Sequence, residues 1–166
     1  MKINIASVLR NDGASKNISG NVELGTIDYM GSTLQFSKPV SVEGRVYSIG
    51  GALEVSAKIT GEYSTECSRC SQPITKELSG ELFESLDSDF SDIDEECISV
   101  SGNVIDISGS IEACIFDSIP LQPLCKDDCK GLCPVCGIDL NKNECNCETT
   151  VYDPRFAIFR KLSKEV

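Results

Sequence analysis

Six cysteines, Cys125, Cys129, Cys133, Cys136, Cys145 and Cys147, crowd into the stretch CKDDCKGLCPVCGIDLNKNECNC. No other feature limits the possible folds so sharply. A segment this rich in polar and turn residues cannot bury a core of its own, so its order must come from its sulfurs. Cys133-Pro-Val-Cys136-Gly137 has the form of a zinc knuckle. Two thiolates three positions apart let the intervening backbone turn beneath one ion, and the glycine after the second sulfur supplies the positive φ that closes the turn. Cys145 and Cys147 follow as a second pair, and four thiolates at about 2.3 Å from one Zn²⁺ make a closed structural site. The chain has no histidine, so such a site is all sulfur, or sulfur plus carboxylate.

With 166 residues the chain suits one domain with a small appendage. Asp and Glu outnumber Lys and Arg by 26 to 15, for a formal net charge of -11. A surface of that sign repels phosphate backbones overall. It suits a basic protein partner, or nucleic acid met only at a local basic patch. No apolar run approaches the roughly 20 residues that span a bilayer, so no membrane contact is expected. The opening MKINIASVLRNDGAS lacks the apolar core and cleavage site of a signal peptide. The expected location is therefore cytoplasmic, where closely spaced cysteines are metal ligands more often than disulfides.

The expected fold is mainly β, an α+β chain with a small antiparallel barrel or curled sheet, one or two short helices and a C-terminal zinc-knuckle segment. Residues 2–9 suggest an edge strand and one helical turn, and residues 10–20, rich in Asn, Asp, Gly and Ser, a loop. Strands are expected between Asn21 and Ile49, with Val40, Val42, Val46 and Ile49 inward. Gly50-Gly51 signals a hairpin. Residues 52–66 alternate cleanly, with Leu53, Val55, Ala57 and Ile59 on one face. They lead into Cys67-Ser-Arg-Cys70 at a hairpin tip, with a further strand over 73–85. Residues 81–96 carry eight acids and no base and read as a solvated loop. A calcium loop begun at Asp87 fails, because Asp92 takes the glycine position and Ile98 the final glutamate position. Residues 98–106 suggest one more short strand. A helix over about 108–119 takes Ser108 or Ser110 as cap, packs Ile111, Cys114, Ile115 and Ile119 inward, and stops at Pro120. Asp153 and Pro154 start a C-terminal helix whose Phe156 and Phe159 pack back on the sheet, while Arg155, Arg160 and Lys161 form a basic cluster. The expected parts are thus 1–121, a β-rich domain; 122–150, the metal-binding segment; and 151–166, the C-terminal helix.

Cys97 and Cys114 stand outside the four closely spaced cysteine pairs and read as core side chains. Eight sulfurs remain, enough for two tetrahedral sites. The most economical grouping joins Cys133 and Cys136 with Cys145 and Cys147, and brings Cys125 and Cys129 to Cys67 and Cys70. The second site would clamp the tail onto the sheet. An alternative draws Cys125 or Cys129 to Cys133 and Cys136 and leaves Cys67 and Cys70 as a free dithiol. The spacing of Cys129, Cys133 and Cys136 also matches that of radical-generating iron–sulfur enzymes, but too little chain follows for their scaffold. Redox dithiols need a strand-to-helix setting that neither CxxC has. Catalytic zinc needs an open position and a base. Neither a phosphate-binding glycine loop nor a convincing nucleophile is present, so no enzyme and no small-molecule substrate is expected.

The motifs PVSVEGRV (39–46), CSRC (67–70), IPLQPLCKDDCKGLCPVCGIDLN (119–141), CNC (145–147) and DPR (153–155) together resemble the YceD family of large ribosomal RNA subunit accumulation proteins. The resemblance covers about residues 1–160. It implies a non-enzymatic role in the synthesis, processing or stability of 23S ribosomal RNA. The partner so implied is a large-subunit precursor, met through its RNA or through a basic ribosomal protein or processing factor. A local RNA patch would use Lys126, Lys130, Arg155, Arg160 and Lys161. A redox- or zinc-responsive dithiol module is the alternative function.

Overall fold

The clean alternation of residues 52–66 builds the longest element among the described residues. In the computed structural model, which describes residues 1–86 and 97–147, strand β6 (Ala52–Glu66) pairs antiparallel with β7 (Pro73–Leu86). Their register runs from Leu53 opposite Leu86 to Glu66 opposite Pro73, so Cys67–Cys70 sits at the tip of a long hairpin. Leu53, Val55, Ala57, Ile59 and Tyr63 on β6 and Leu78, Leu82 and Leu86 on β7 are buried on one face. Period-two spacing makes this face continuous.

The other edge of β6 is shared. Its first part pairs with β5 (Val40–Ile49) through a two-residue turn in which Gly50 and Gly51 have φ of 60° and 88°. Positive φ at both positions matches the turn to the twist of the strands. Beyond β5, Ser64 of β6 meets Gln35 of β4 (Ser32–Gln35), which forms its own hairpin with β3 (Thr26–Tyr29). Strand β2 (Ser15–Val22) adds to the far side of β5. A small second sheet runs in the order β1 (Lys2–Asn4), β9 (Val104–Asp106), β8 (Ser99–Ser101). One turn of helix, α1 (Ala6–Leu9), follows β1, and α2 (Ser108–Asp117) follows β9.

A single apolar cluster joins both sheets and α2, reaching from Ile3 and Val8 through Val40 and Ile59 to Ile111, Ile115 and Ile119. Tyr29 of β3 stacks on Phe116 of α2 with ring centroids 5.2 Å apart. Gly80 of β7 admits α2 at close range: a Cβ there would lie 2.8 Å from Cys114 Sγ. The sheets curl around this core but remain open; among the described residues no ladder closes them into a barrel. No described helix is long and apolar enough to cross a membrane.

Several expectations change. Residues 15–20 are strand, not loop. As an edge strand β2 buries only Ile18, which leaves no alternation to read. Ile49 is 57% exposed. Inward positions on β5 have the parity of Val46, and buried Ser48 takes the place, its backbone bonded to Gly13 and Ala14. Residues 81–86 of the acidic stretch belong to β7, with Leu82 and Leu86 buried; residues 87–96 lie outside the described residues. Residues 98–106 supply two paired strands, β8 and β9, rather than one. Neither Ser108 nor Ser110 caps α2. The cap position is Ile107, the Asp106 carboxylate accepts the Ser108 N–H at 3.1 Å, and buried Ser110 donates to Cys97 O. Cys97 and Cys114 pack against the apolar cluster. The helix expected over 151–166, with its Phe and basic residues, lies outside the described residues.

Candidate metal centres

Both CxxC motifs fold into the same turn. In the hairpin tip, the Cys67 carbonyl accepts the Ser71 N–H at 2.9 Å and the Cys67 N–H donates to Gln72 O at 2.8 Å. In the tail, the Cys133 carbonyl accepts the Gly137 N–H at 2.8 Å and the Cys133 N–H donates to Ile138 O at 2.8 Å. The residue after the second cysteine has positive φ in both: 72° at Gly137 and 52° at Ser71. Serine rarely adopts that conformation, so the tertiary setting imposes at residue 71 what glycine permits at 137.

The eight sulfurs gather into two groups of four. Cys67, Cys70, Cys125 and Cys129 form the inner group; Cys133, Cys136, Cys145 and Cys147 form the outer one. Within each group all ligand atoms lie within 4.8 Å of one another. Cys129 is thus separated from Cys133 and Cys136, which removes the iron–sulfur spacing. Cys67 and Cys70 are not left as an isolated dithiol.

Inner-group distances fit a tetrahedron. Cys67 Sγ lies 3.8 Å from Cys129 Sγ, and Cys70 Sγ lies 3.7 Å from Cys125 Sγ. Four sulfurs at about 2.3 Å from one ion are about 3.8 Å apart along each edge. Disulfide sulfurs would sit at about 2.05 Å. Cys67, Cys70 and Cys129 are buried, with Ile74 and Leu124 packed around them. The tail reaches this centre through backbone pairing: Ser68 N–H to Pro123 O at 2.9 Å, and Leu132 N–H to Arg69 O at 3.0 Å. Arg69 Nη1 donates to Cys129 O at 2.8 Å. Gly131, at φ +75°, passes so close that a Cβ would lie 2.9 Å from Arg69 O.

The outer group rests on turns alone, apart from one isolated β-bridge between Leu132 and Asp139. Cys133 is buried, Cys145 and Cys147 are half-buried, and Cys136 is exposed.

Electrostatics in both groups favour a cation at the centre. Burial pushes the Cys67 thiol up, but the backbone N–H groups of Arg69, Cys125 and Cys70 outweigh it and hold it at about 6. Burial, then the thiols of Cys129, Cys70 and Cys67, push Cys125 up to about 12. In the outer group the N–H groups of Cys136 and Val135 draw Cys133 down to about 6. The Cys136 side chain, then burial and neighbouring charge, raise Cys147 to about 12. Cys67 and Cys133 are thus drawn toward the thiolate, while Cys70 and Cys125 in one group and Cys145 and Cys147 in the other are pushed away from it. Only a bound cation lets four thiolates share so small a space.

Three polar residues given no role by sequence reasoning tie the centres together. Gln72 Nε2 donates to Asp139 Oδ2 at 2.9 Å, and Asn141 Nδ2 reaches Cys129 Sγ at 3.5 Å. Asp139 and Asn141 bond each other, as residues two apart do in an Asx turn. That local pattern was visible in the sequence; its reach to the other centre was not. Of the expected basic patch, Lys130 is exposed and Lys126 lies 3.5 Å from the Asp128 carboxylate. Arg155, Arg160 and Lys161 lie outside the described residues.

Comparison with known proteins gives a consistent picture. The family model described as "Large ribosomal RNA subunit accumulation protein YceD" matches residues 55–163. An uncharacterised protein of Mycobacterium tuberculosis (strain ATCC 25618 / H37Rv) is 32% identical over 120 residues, 68% of this chain and 56% of that protein. An uncharacterised protein of Mycobacterium leprae (strain TN) is 26% identical over 115 residues, 64% of this chain and 52% of its own. The chain thus spans about half the length of these curated relatives. The Arabidopsis thaliana protein named large ribosomal RNA subunit accumulation protein YCED homolog 1, chloroplastic, is 42% identical over 62 residues, 37% of this chain and 19% of that one. No solved structure matches.

Proposed function

The chain belongs to the YceD family, and from that premise we propose that it is a non-enzymatic factor in large ribosomal subunit biogenesis. It promotes the synthesis, processing or stability of 23S ribosomal RNA in the cytoplasm. It is built as a β-rich body over 1–121, a metal-binding segment over 122–150 and a C-terminal segment over 151–166.

Two structural Zn²⁺ ions belong to this reading. Cys67, Cys70, Cys125 and Cys129 hold one; Cys133, Cys136, Cys145 and Cys147 hold the other. The observation that carries it is the tetrahedral spacing of the inner sulfurs, contributed by the sheet hairpin and the tail together. A bound Zn²⁺ supplies the charge that lets the thiolates coexist and the bonds that tie distant segments. Zinc sites in small peptides are worth about 10–16 kcal/mol, against about 5–15 kcal/mol for a whole domain. The inner site is thereby strong enough to decide whether the tail docks.

The charge of -11 favours a basic ribosomal protein or processing factor as the direct partner. The pairing of Lys126 with Asp128 weakens the alternative of an RNA patch. The test is affinity purification of the tagged chain from cells, with and without prior chelation. Metal-loaded protein should retain large-subunit precursors or a basic ribosomal protein, and chelated protein should lose them. Direct binding to structured ribosomal RNA that falls steeply with salt would replace the protein partner by phosphate contact. Retention of neither would overturn the ribosomal role.

A second reading, a redox- or zinc-responsive module, is favoured by the exposure of Cys136. Metal-free protein with a reversibly oxidised dithiol would support it. Two tightly held zinc ions with few reactive thiols would support the structural role.

A further inference from the structure

Resting on the reading of both sulfur groups as metal sites, we infer that the two centres differ in kind and are coupled. The outer centre exchanges its metal, and the Asp139–Asn141 loop transmits its loading to the inner one.

Access separates the centres. A thiolate-bound ion leaves when an incoming ligand attacks it or when a sulfur is protonated, and both need an approach path. In the inner centre Cys67, Cys70 and Cys129 are 1%, 4% and 2% exposed. The facing cysteines lie 62 and 55 residues apart in the chain. Opening that centre means peeling the tail from the hairpin, against the Ser68–Pro123, Leu132–Arg69 and Arg69–Cys129 bonds. The outer centre draws all four ligands from residues 133–147, and its Cys136 faces solvent. It can open without disturbing any strand.

The coupling runs through one loop. Gly137–Asn141 leaves the outer knuckle and returns toward the inner one. Leu140 N–H donates to Gly131 O at 3.0 Å, which holds the loop beside the tail's docking segment. Asp139 takes the Gln72 amide with one oxygen and Asn141 with the other. Asn141 then spends its side chain on the inner centre: Nδ2 on Cys129 Sγ, and Oδ1 accepting the Lys130 N–H at 2.9 Å. An ordered outer knuckle therefore presents the second-layer donor that orients and partly neutralises an inner sulfur. Such partners are worth about 10–100-fold in metal affinity.

The test uses the full chain loaded with Zn²⁺ and follows exchange of its ions for an isotopically distinct Zn²⁺ buffered at a free concentration that keeps both sites filled. The unaltered chain should release two equivalents in two phases, one fast and one slow. Cys136→Ser combined with Cys147→Ser should bind one equivalent and, with the outer knuckle unloaded, lose it about tenfold faster or more than the slow phase of the unaltered chain. Asn141→Asp keeps the oxygen facing Lys130 but loses the N–H on sulfur. It should still hold two equivalents and lose the slow one about tenfold faster or more. Asn141→Ala, without the added charge, should do the same. Release in a single phase, a double variant that holds two equivalents or loses its one ion as slowly as the unaltered chain's slow phase, or a slow phase unmoved in both Asn141 variants would each overturn the inference. A chain that takes up no zinc would overturn the metal reading beneath it instead.

Discussion

Replacing Gly131 by alanine should loosen the docked tail, and its size can be worked from local geometry. Gly131 has φ +75°, a region that costs an L-residue about 1–2 kcal/mol. The added Cβ would also lie 2.9 Å from Arg69 O and 3.3 Å from Arg69 Cβ. That carbonyl cannot give way freely, because it accepts the Leu132 N–H at 3.0 Å. Giving up the bond costs about 1 kcal/mol more, for a total of about 2–3 kcal/mol. Gly137 is the internal control. Its φ is +72°, yet nothing lies within 4 Å of its would-be Cβ, so Gly137→Ala should cost only the conformational part, about 1–2 kcal/mol. Thiol labelling of the zinc-loaded protein in increasing urea reads the opening directly. Gly131→Ala should expose the inner cysteines at lower urea than Gly137→Ala does. After chelation the two variants should label alike, because the contact with Arg69 exists only in the docked tail. Equal behaviour of the loaded variants, or a difference that persists without metal, would refute the argument.

Three further outcomes follow from other sites. Gly80→Ala puts a Cβ 2.5 Å from Ser118 Oγ and 2.8 Å from Cys114 Sγ. It should lower stability by about 1–3 kcal/mol in thermal melts, and adding Cys114→Ala should restore part of the loss. Ser71→Gly relieves a positive φ of 52° and should raise the urea midpoint, by up to about 1 kcal/mol in stability. Asp106 is held at about 2, first by its bond from the Met1 ammonium and then by the Ser108 hydroxyl. A lowered folded value means stability that is present above the ordinary carboxylate range and lost as pH falls toward the folded value. Asp106→Asn should therefore be less stable at pH 7, with the deficit shrinking below about pH 4 as the unfolded carboxylate takes up its proton. A deficit that does not change with pH would sink that account.

Residues 52–66 show how much a local pattern can carry. Their alternation puts Leu53, Val55, Ala57 and Ile59 on one face, and the structure buries all four. The same rule failed at Ile49, which lies off the parity of Val46, where the chain is already leaving the strand. It failed again at β2, because an edge strand with one inward residue has no period to detect. The cap of α2 was missed because Asp106, at the end of a strand, supplies the oxygen that a serine in the helix was expected to provide.

The sequence by itself made the outer sulfur group the most economical one, since its ligands lie close along the chain and Gly137 marks the turn. Yet the sequence allowed Cys125 or Cys129 beside Cys133 and Cys136 until the structure separated them. The sequence did determine the mainly antiparallel character of the body, the acidic surface and, through its motifs, the family. Only the tertiary structure decided that Cys67 and Cys70 face Cys125 and Cys129, that Ser71 takes a glycine-like conformation, and that Asp139 and Asn141 reach across to the inner centre. The reason is separation along the chain. Turn chemistry and periodicity act over a few residues, whereas the inner centre closes loops of 55 and 62 residues. Which segments meet at that distance is set by how the long hairpin and the shared core project them into space.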